Sequence, residues 1–230
     1  SGLVGSEMCI RDSINRLEDH VASARMKTTP VIDFEKNESL KGLDYLDTIY
    51  HAIVNEHPIQ LKYRSFKARS ANSFIFYPYL LKEYRNRWFV YGVRGNGRVL
   101  QNLALDRIQS LEVLPQEHYI KNTFFDPNTF FDDLVGVTKN SGSIAEKVGF
   151  KVAAAEAPYI ITKPIHRSQQ LVERLPDGSV ILEIEVVINH ELERVFFGYV
   201  DGIEILYPKT LVELMSRKLE KAAKQYTKSK

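Results

Sequence analysis

Cysteine, tryptophan and long hydrophobic runs are almost absent from this sequence of 230 residues, which has one cysteine, Cys9, and one tryptophan, Trp88. A single cysteine excludes an internal disulfide bond and favours a reducing compartment. No apolar run is long enough to span a bilayer. No basic segment followed by an apolar one marks a signal peptide. We therefore expect a cytoplasmic protein with no membrane segment.

Sequence signatures of metal binding and nucleophilic catalysis are also missing. His190-Glu191 begins like the zinc-protease motif HExxH, but position 194 is an arginine. The histidines are scattered, and neither a GxSxG elbow nor a Walker loop is present. We expect no metal, no cofactor and no enzymatic activity, because an enzyme acting on phosphate esters would need a nucleophile, a base or a metal set that the sequence does not show.

Positive charge is concentrated in one part of the chain. Between Ile59 and Ser110 ten lysines and arginines face two acidic residues, a net charge of +8 in a chain whose total is +2, so the remainder carries −6. Such a concentration favours an anionic ligand, nucleic acid or phosphate. Charge alone leaves a solvated basic surface as an equal alternative.

The first quarter of the chain is predicted to contain a leader and a helical linker that precede the folded domains. Residues 1–13 resemble a translated adapter sequence or a disordered native terminus. Residues 14–27 have apolar residues at helical spacing, and a second amphipathic stripe runs from Leu43 to Ile53 and closes at Asn55 and Pro58. We assign residues 14–56 to a helical linker.

The pattern changes to short strands at residues 57–118. Ile59, Leu61 and Tyr63 alternate with polar residues, as in a half-buried strand. Aromatic and β-branched runs follow at 73–84, 88–93 and 98–114. Gly95-Asn96-Gly97 lies between two of these runs, where Asn-Gly predicts a hairpin turn and not a phosphate-binding loop. The whole segment is predicted to be a small β-barrel of SH3 or Sm type.

The last part of the chain is predicted to be a separate α+β domain. Residues 119–146 are assigned to a connecting helix, capped by Asp126 with Pro127 at its first position, and a polar loop. Residues 147–230 follow the order β-α-β-β-α-β and close with a helix, which is typical of a ferredoxin-like domain. The fold class is therefore α+β.

Several short motifs resemble those of the WYL domain family. They are Tyr63-Arg64, Pro78, Trp88-Phe89-Val90 and Leu105 to Ile108, in the family's order and spacing. The triplet that names the family is Trp-Tyr-Leu, and here it is Trp-Phe-Val, which loses a phenol. Residues 166–169 and the ending Ile205 to Pro208 resemble the extension that often follows this domain, so the resemblance covers roughly residues 40–227.

The resemblance implies a function in transcription. Proteins of this family are typically bacterial regulators with an N-terminal winged helix-turn-helix, a helical linker, the WYL barrel and the extension. This sequence matches the last three parts and not the first. The resemblance further implies a homodimer whose barrel senses a ligand, with single-stranded DNA or an oligonucleotide as the leading class, and whose missing domain binds promoter DNA.

Candidate ligand-binding residues follow from the charge and from the resemblance. Cations neutralise phosphates and aromatic rings stack on bases. The candidates are Tyr63, Arg64, Arg69, Arg87, Trp88, Arg98, Asp106, Arg107 and His166. Asp106 orients Arg107 or pairs with it structurally, and His166 either contacts ligand across the domain gap or makes structural hydrogen bonds. Tyr79, Tyr84 and Tyr91 are further stacking candidates, although each aromatic is more often a core residue. The alternative function is a structural dimerisation module without a ligand.

Overall fold

Two antiparallel β-sheets with accompanying helices form the described part of the protein, which in this computed structural model comprises residues 42–95, 97 and 99–227. The mixed α+β class predicted from the sequence is confirmed. The expectations for residues 1–13, for the helix at 14–27, for Asn96 and for Arg98 concern residues outside the described ones. None of the helices in the described ranges is long and apolar enough to cross a membrane.

The first domain contains a helix and five strands. A 3-10 turn (Leu43–Tyr45) leads into α1 (Leu46–Val54), and a second 3-10 turn (Leu105–Arg107) lies between the last two strands. The strands are β1 (Ile59–Tyr63), β2 (Asn72–Tyr84), β3 (Arg87–Arg94), β4 (Gln101–Ala104) and β5 (Ile108–Val113). Their order in the sheet is β4-β3-β2-β1-β5, and every neighbouring pair is antiparallel.

This sheet curls so that its two edges approach each other. Its edge strands, β4 and β5, are consecutive in the chain and are joined by the three residues Leu105–Arg107. A 3-10 turn of that length advances about 6 Å, whereas the edges of a flat five-stranded sheet lie about 19 Å apart. The connection therefore requires strong curvature, which the β-bulges in β1 and β2 assist.

The interior of the curled sheet is filled by the alternation seen in the sequence. Ile59, Leu61 and Tyr63 of β1 are buried, and Lys62 between them is exposed. α1 adds Ile49 and Ala52 to the same hydrophobic cluster. The helix assigned to the linker therefore packs as part of this domain's core.

The hairpin between β2 and β3 has a tight turn. β2 and β3 are joined by the two residues Arg85 and Asn86, which have φ angles of 50° and 60°. After β3, the N–H of Gly97 donates to the carbonyl of Arg94 at 2.7 Å. β3 and β4 are antiparallel neighbours, so the chain reverses direction between Arg94 and Gln101, while the Asn-Gly turn predicted there includes Asn96 and stays a prediction.

The helix predicted from Asp126 is wrong: residues 127–133 form successive turns. The Asp126 carboxylate accepts from the N–H of Asn128 at 2.9 Å, and the chain continues with bonds such as Asp132 N–H to Thr129 C=O. The neighbouring rings of Phe130 and Phe131 both pack on Tyr91, with centroids 5.8 and 5.3 Å away. These tertiary contacts override the local helix signal.

The second domain has the element order β-α-β-β-α-β-α that the sequence predicts. Its elements are β6 (Glu146–Val152), α2 (Ala157–Thr162), β7 (Gln170–Arg174), β8 (Val180–Val186), α3 (His190–Phe197), β9 (Ile203–Tyr207) and α4 (Lys209–Thr227). The sheet order is β7-β8-β6-β9, antiparallel throughout. The inward residues of β6 and β8 pack against Leu192, Phe196 and Leu211 of the helices to form one core.

A short segment between the domains is held by both of them. Asn189 of the second domain donates to the carbonyls of Val135 and Thr138, each at 2.9 Å. From the first domain, Asn102 donates to the carbonyl of Val137 at 2.7 Å, and the Tyr91 hydroxyl donates to the same oxygen. The segment 135–138 therefore links the two cores through buried hydrogen bonds.

Candidate functional site

A cleft opens where the loop after β1 meets the 3-10 turn before β5. It has a volume of about 310 Å³, and its lining residues are Arg64, Ser65, Phe66, Asp106, Arg107, Ile108 and Gln109. The Arg64 N–H donates to the Arg107 carbonyl at 3.1 Å, which ties the loop to the turn at the end of the β1–β5 pairing. The curvature of the sheet therefore brings the Tyr63-Arg64 motif and the Asp106-Arg107 motif together.

Asp106 is the one carboxylate in the lining and it lies between two guanidinium groups. Its Oδ2 is 3.3 Å from Nε of Arg87, and its Oδ1 is 3.9 Å from Nε of Arg107. The side chain of Asp106 is 16% exposed, that of Arg107 26% and that of Arg87 47%. Asp106 therefore pairs by charge with both arginines, while its contact with Arg107 is too long for a hydrogen bond.

Two polar atoms in this group are buried without a hydrogen-bond partner among the described residues. They are Oδ1 of Asp106 and Nε of Arg107, which face each other at a separation too long for a hydrogen bond. Unpaired buried polar atoms are costly, and most native proteins hold few of them. A water molecule or a ligand in the cleft would have to satisfy them.

Tyr63 lies beneath the cleft and not in it. Its side chain belongs to the core of the first domain, and burial raises the pKa of its phenol, an effect that the nearby Arg107 opposes. The phenol is therefore neutral near neutral pH. Tyr63 is 9% exposed and presents no open face on which a base could stack.

The other stacking candidates are also packed against the protein. Tyr79 stacks on Phe124 at 6.1 Å, Tyr91 contacts three phenylalanines, and Trp88 packs on the core of the first domain. Tyr84 is partly buried at the end of β2. These strand aromatics act as core residues, which was the more frequent role expected for them.

Phe66 is the aromatic residue that the sequence analysis missed. It lies in the cleft lining, is 75% exposed, and has the guanidinium carbon of Arg107 over its ring at 4.4 Å from the centroid. A single aromatic in the polar loop RSFKARSAN has no periodic pattern. The neighbouring arginine and lysine residues were the only signal available.

Exposed cations surround the cleft. Lys62, Arg64, Lys67 and Arg69 are exposed, and none of them has an ion-pair partner within the described ranges. Arg94, at the far end of β3, instead lies over the ring of Phe74 at 3.9 Å. Charge that no carboxylate neutralises therefore extends from β1 along the loop that lines the cleft.

His166 belongs to a different site in the second domain. The His166 side chain is buried. Its Nδ1 lies 2.7 Å from the Ser168 hydroxyl, and it accepts a hydrogen bond from the Ser168 N–H at 3.2 Å. Burial lowers the pKa of its imidazole, and the charge of Arg167 adds to this effect. The structure therefore places His166 apart from the cleft residues, in a hydrogen-bonding role.

Other clefts suit an anion less well. One of about 480 Å³ between α3, β9 and α4 is larger, but apolar side chains such as Phe196 and Leu219 share its lining with Asp201, Glu204 and Glu220. Another, of about 450 Å³ beside His166, contains Asp132, Asp133 and Glu185. No cluster of three or more His, Cys, Asp or Glu suited to a metal occurs among the residues that the structure describes.

Comparisons with known proteins agree with the two-domain organisation. A family model described as the WYL domain matches residues 44–113, and one described as the WCX domain matches residues 145–223. No curated protein is similar enough in sequence to match.

Among solved structures, one similar chain is the proteasome accessory factor B/C (PafBC) of Arthrobacter aurescens, at 17% identity and a TM-score of 0.33, covering 83% of this chain and 28% of that one. Another is a CRISPR Cas-related protein, at 14% identity and a TM-score of 0.46, covering 79% of this chain and 51% of that one. The chain thus spans less than two thirds of either structure.

Proposed function

Because this chain belongs to the WYL-domain family, with a WYL domain followed by a WCX domain, we propose that it is the ligand-sensing region of a bacterial DNA-binding transcriptional regulator. The WYL domain binds an anionic ligand, single-stranded DNA or an oligonucleotide, in the cleft between the β1 loop and the turn at Asp106. The observation that carries the proposal is the set of exposed cations at that cleft and along its loop, which have no ion-pair partners in the part of the chain that the structure describes.

The arrangement of charge favours a chain of phosphates over a single small anion. Arg64 and Arg107 line the cleft, while Lys62, Lys67 and Arg69 extend the positive surface beyond it. A single phosphate would engage the cleft alone. A polyanion that neutralises several of these cations releases counterions at each contact, so its affinity depends strongly on salt. The guanidinium groups also match phosphate oxygens in a bidentate geometry.

We propose binding and not catalysis for this cleft. Its carboxylate, Asp106, already lies between the guanidinium groups of Arg87 and Arg107, so it is engaged in ion pairs. Its hydroxyl, Ser65, has no histidine or lysine in the lining that would act as a base. A binding site needs neither.

In this proposal the ligand acts on a DNA-binding domain carried N-terminal to the WYL domain, and the regulator is a homodimer. Ligand contacts at the turn Leu105–Arg107 lie between β4 and β5. β4 carries Asn102, which holds the interdomain segment 135–138. The turn at the cleft is therefore linked to the boundary between the two domains by a few residues of β4 and one hydrogen bond.

Fluorescence anisotropy with a labelled oligothymidylate, measured at low and at high salt, tests the proposal. We expect binding at low salt that weakens steeply as salt rises. Replacing both cleft arginines (Arg64→Ala with Arg107→Ala) should reduce the affinity strongly. The matched control removes two exposed arginines of the second domain, Arg174→Ala with Arg217→Ala, and should change it little.

Two results would contradict the proposal. One is the absence of binding at low salt by a chain whose thermal unfolding is cooperative. The other is an equal effect of the cleft pair and of the control pair, which would indicate diffuse attraction by net charge. Absence of binding together with a concentration-dependent dimer would favour the structural dimerisation role instead.

A further inference from the structure

Phe66 is an exposed aromatic ring placed at the edge of a charged cleft. Single exposed hydrophobic residues are common and need no function by themselves. Phe66 differs because one face of its ring is covered by the guanidinium of Arg107, at 4.4 Å, while the residue as a whole remains 75% exposed. The ring therefore has a fixed neighbour on one side and an open face on the other.

The contact with Arg107 orients both groups for a ligand that has a flat part and a charged part. A guanidinium over an aromatic ring is attracted by the ring's quadrupole, which keeps the ring beside the cleft. Nε of Arg107 and Oδ1 of Asp106 remain without hydrogen-bond partners among the described residues. Arg64 and Phe66 both line the cleft, so charge and ring border the same small volume.

We propose that Phe66 is a base-stacking residue and that the ligand of this cleft is a nucleotide with an unpaired base. This inference rests on the proposed function and makes it more specific, because it assigns recognition of the base to Phe66 and recognition of the phosphate to Arg64 and Arg107. Bases stack on aromatic side chains with little sequence preference. In a duplex both faces of each internal base are covered by its neighbours, so stacking on Phe66 selects single strands or strand ends.

The strand aromatics cannot take this role in the present structure. Tyr63, Tyr79 and Tyr91 are buried, and Trp88 packs on the core. Among the lining residues Phe66 is the one aromatic. Its position in a loop also removes the packing constraint that holds the others in the core.

The test compares Phe66→Ala with Phe66→Trp against two probes of equal length and charge, an oligothymidylate and the same strand with abasic residues. Phe66→Ala should weaken oligothymidylate binding about five- to a hundredfold, which is the range expected for one stacked base. It should leave abasic binding and the salt dependence unchanged. Phe66→Trp should retain the affinity, and its indole fluorescence should be quenched on binding oligothymidylate but not the abasic strand. Phe66 is exposed, so both variants should unfold at the wild-type temperature.

The outcomes separate this inference from the proposed function. If the wild-type chain binds both probes with equal affinity and Phe66→Ala changes neither, the cleft binds phosphate by charge and the stacking role is wrong. If Phe66→Ala weakens both probes equally, the ring acts by holding Arg107 and not by contacting a base. If the wild-type chain binds neither probe, the proposed function itself fails and the stacking role with it.

Discussion

The carboxylate of Asp106 reaches across from the turn before β5 to Arg87 at the start of β3, with Oδ2 and Nε 3.3 Å apart. The two residues belong to motifs that are separate in the sequence and meet because β3 and β4 are antiparallel neighbours: Phe89 pairs with Ala104, and Arg87 and Asp106 lie two residues further along. The same carboxylate faces Arg107 on its other side, at 3.9 Å. Asp106 therefore restrains two cations beside the cleft and reduces the charge available to a ligand.

Replacing Asp106 with asparagine should strengthen polyanion binding. The change keeps the shape of the side chain but releases Arg87, so the log–log slope of oligothymidylate affinity against salt should steepen by about 0.7 if one phosphate contact is gained. The Arg87–Asp106 pair is partly exposed, so the free energy of unfolding should change by no more than about 1 kcal/mol. Anisotropy over a salt series measures the slope. The control adds Arg87→Gln to Asp106→Asn, which should restore the original slope. If Asp106→Asn alone binds the oligothymidylate more weakly than the wild type, the prediction is wrong and the carboxylate instead positions Arg107 for the ligand.

The turn between β2 and β3 should be open to stabilisation. Arg85 and Asn86 both have positive φ, and the two-residue loop favours Asn-Gly. The double change Arg85→Asn with Asn86→Gly should raise the free energy of unfolding by about 1 kcal/mol, because a left-handed residue other than Gly, Asn or Asp is strained by about that amount. Urea unfolding measures the difference. Arg69→Asn serves as a control outside the turn. Asn86→Val should destabilise the protein, because a β-branched residue is strained at positive φ. A lower urea midpoint for the Asn-Gly variant would contradict the assignment of strain to this turn.

Much of the fold could be predicted because it follows from periodicity. The alternation in β1 and β8 indicates which residues face inward, and burial in the structure follows it. The β-α-β-β-α-β order could be read in the same way. Each of these signals is local, since a strand buries one face whatever its partner is.

The features that could not be predicted depend on contacts between distant segments. The helix signal at Asp126 is locally sound, but Phe130 and Phe131 pack on Tyr91 of another strand, and the segment forms turns. Phe66 shows no pattern of its own and becomes notable only beside Arg107. Of the candidate site residues, Arg64, Asp106 and Arg107 line the cleft.

Asn189 should be one of the most sensitive polar positions. Its side chain accepts from the N–H of Leu192 at 2.8 Å, which caps α3, and donates to the carbonyls of Val135 and Thr138. Asn189→Ala should lower the free energy of unfolding by about 2–4 kcal/mol, because the cap is lost and buried carbonyls lose their donor. Chemical denaturation gives the value. The exposed Asn128→Ala is the control and should change it much less; similar effects for the two would mean that these interdomain bonds contribute little.

The variant Asn189→Asp keeps the cap of α3 but removes the hydrogen bonds to Val135 and Thr138. The carboxylate still accepts from Leu192 at the helix N-terminus, where negative charge is favourable, but it cannot donate to the two carbonyls. We expect this variant to remain clearly destabilised. The same denaturation experiment measures its free energy of unfolding. If that value equals the wild-type value, the stabilising effect of Asn189 comes from the cap alone, and the hydrogen bonds to segment 135–138 contribute little.

His166 should make stability depend on pH in the acid range. Burial holds the pKa of its imidazole below the ordinary value of 6.5, so the unfolded chain binds a proton at a higher pH than the folded chain does. The stabilising contribution of neutral His166 is then complete above about pH 6.5 and is lost as pH falls through the depressed folded pKa. His166→Asn keeps an acceptor for Ser168 but cannot titrate. The wild type should therefore lose stability relative to this variant between about pH 7.5 and pH 5, as measured by urea midpoints. Asp132, Asp133 and Arg167 are present in both proteins, so their contributions cancel in the comparison. If the difference in urea midpoint between the two proteins stays constant with pH, His166 titrates alike in the folded and unfolded chains and the prediction is wrong.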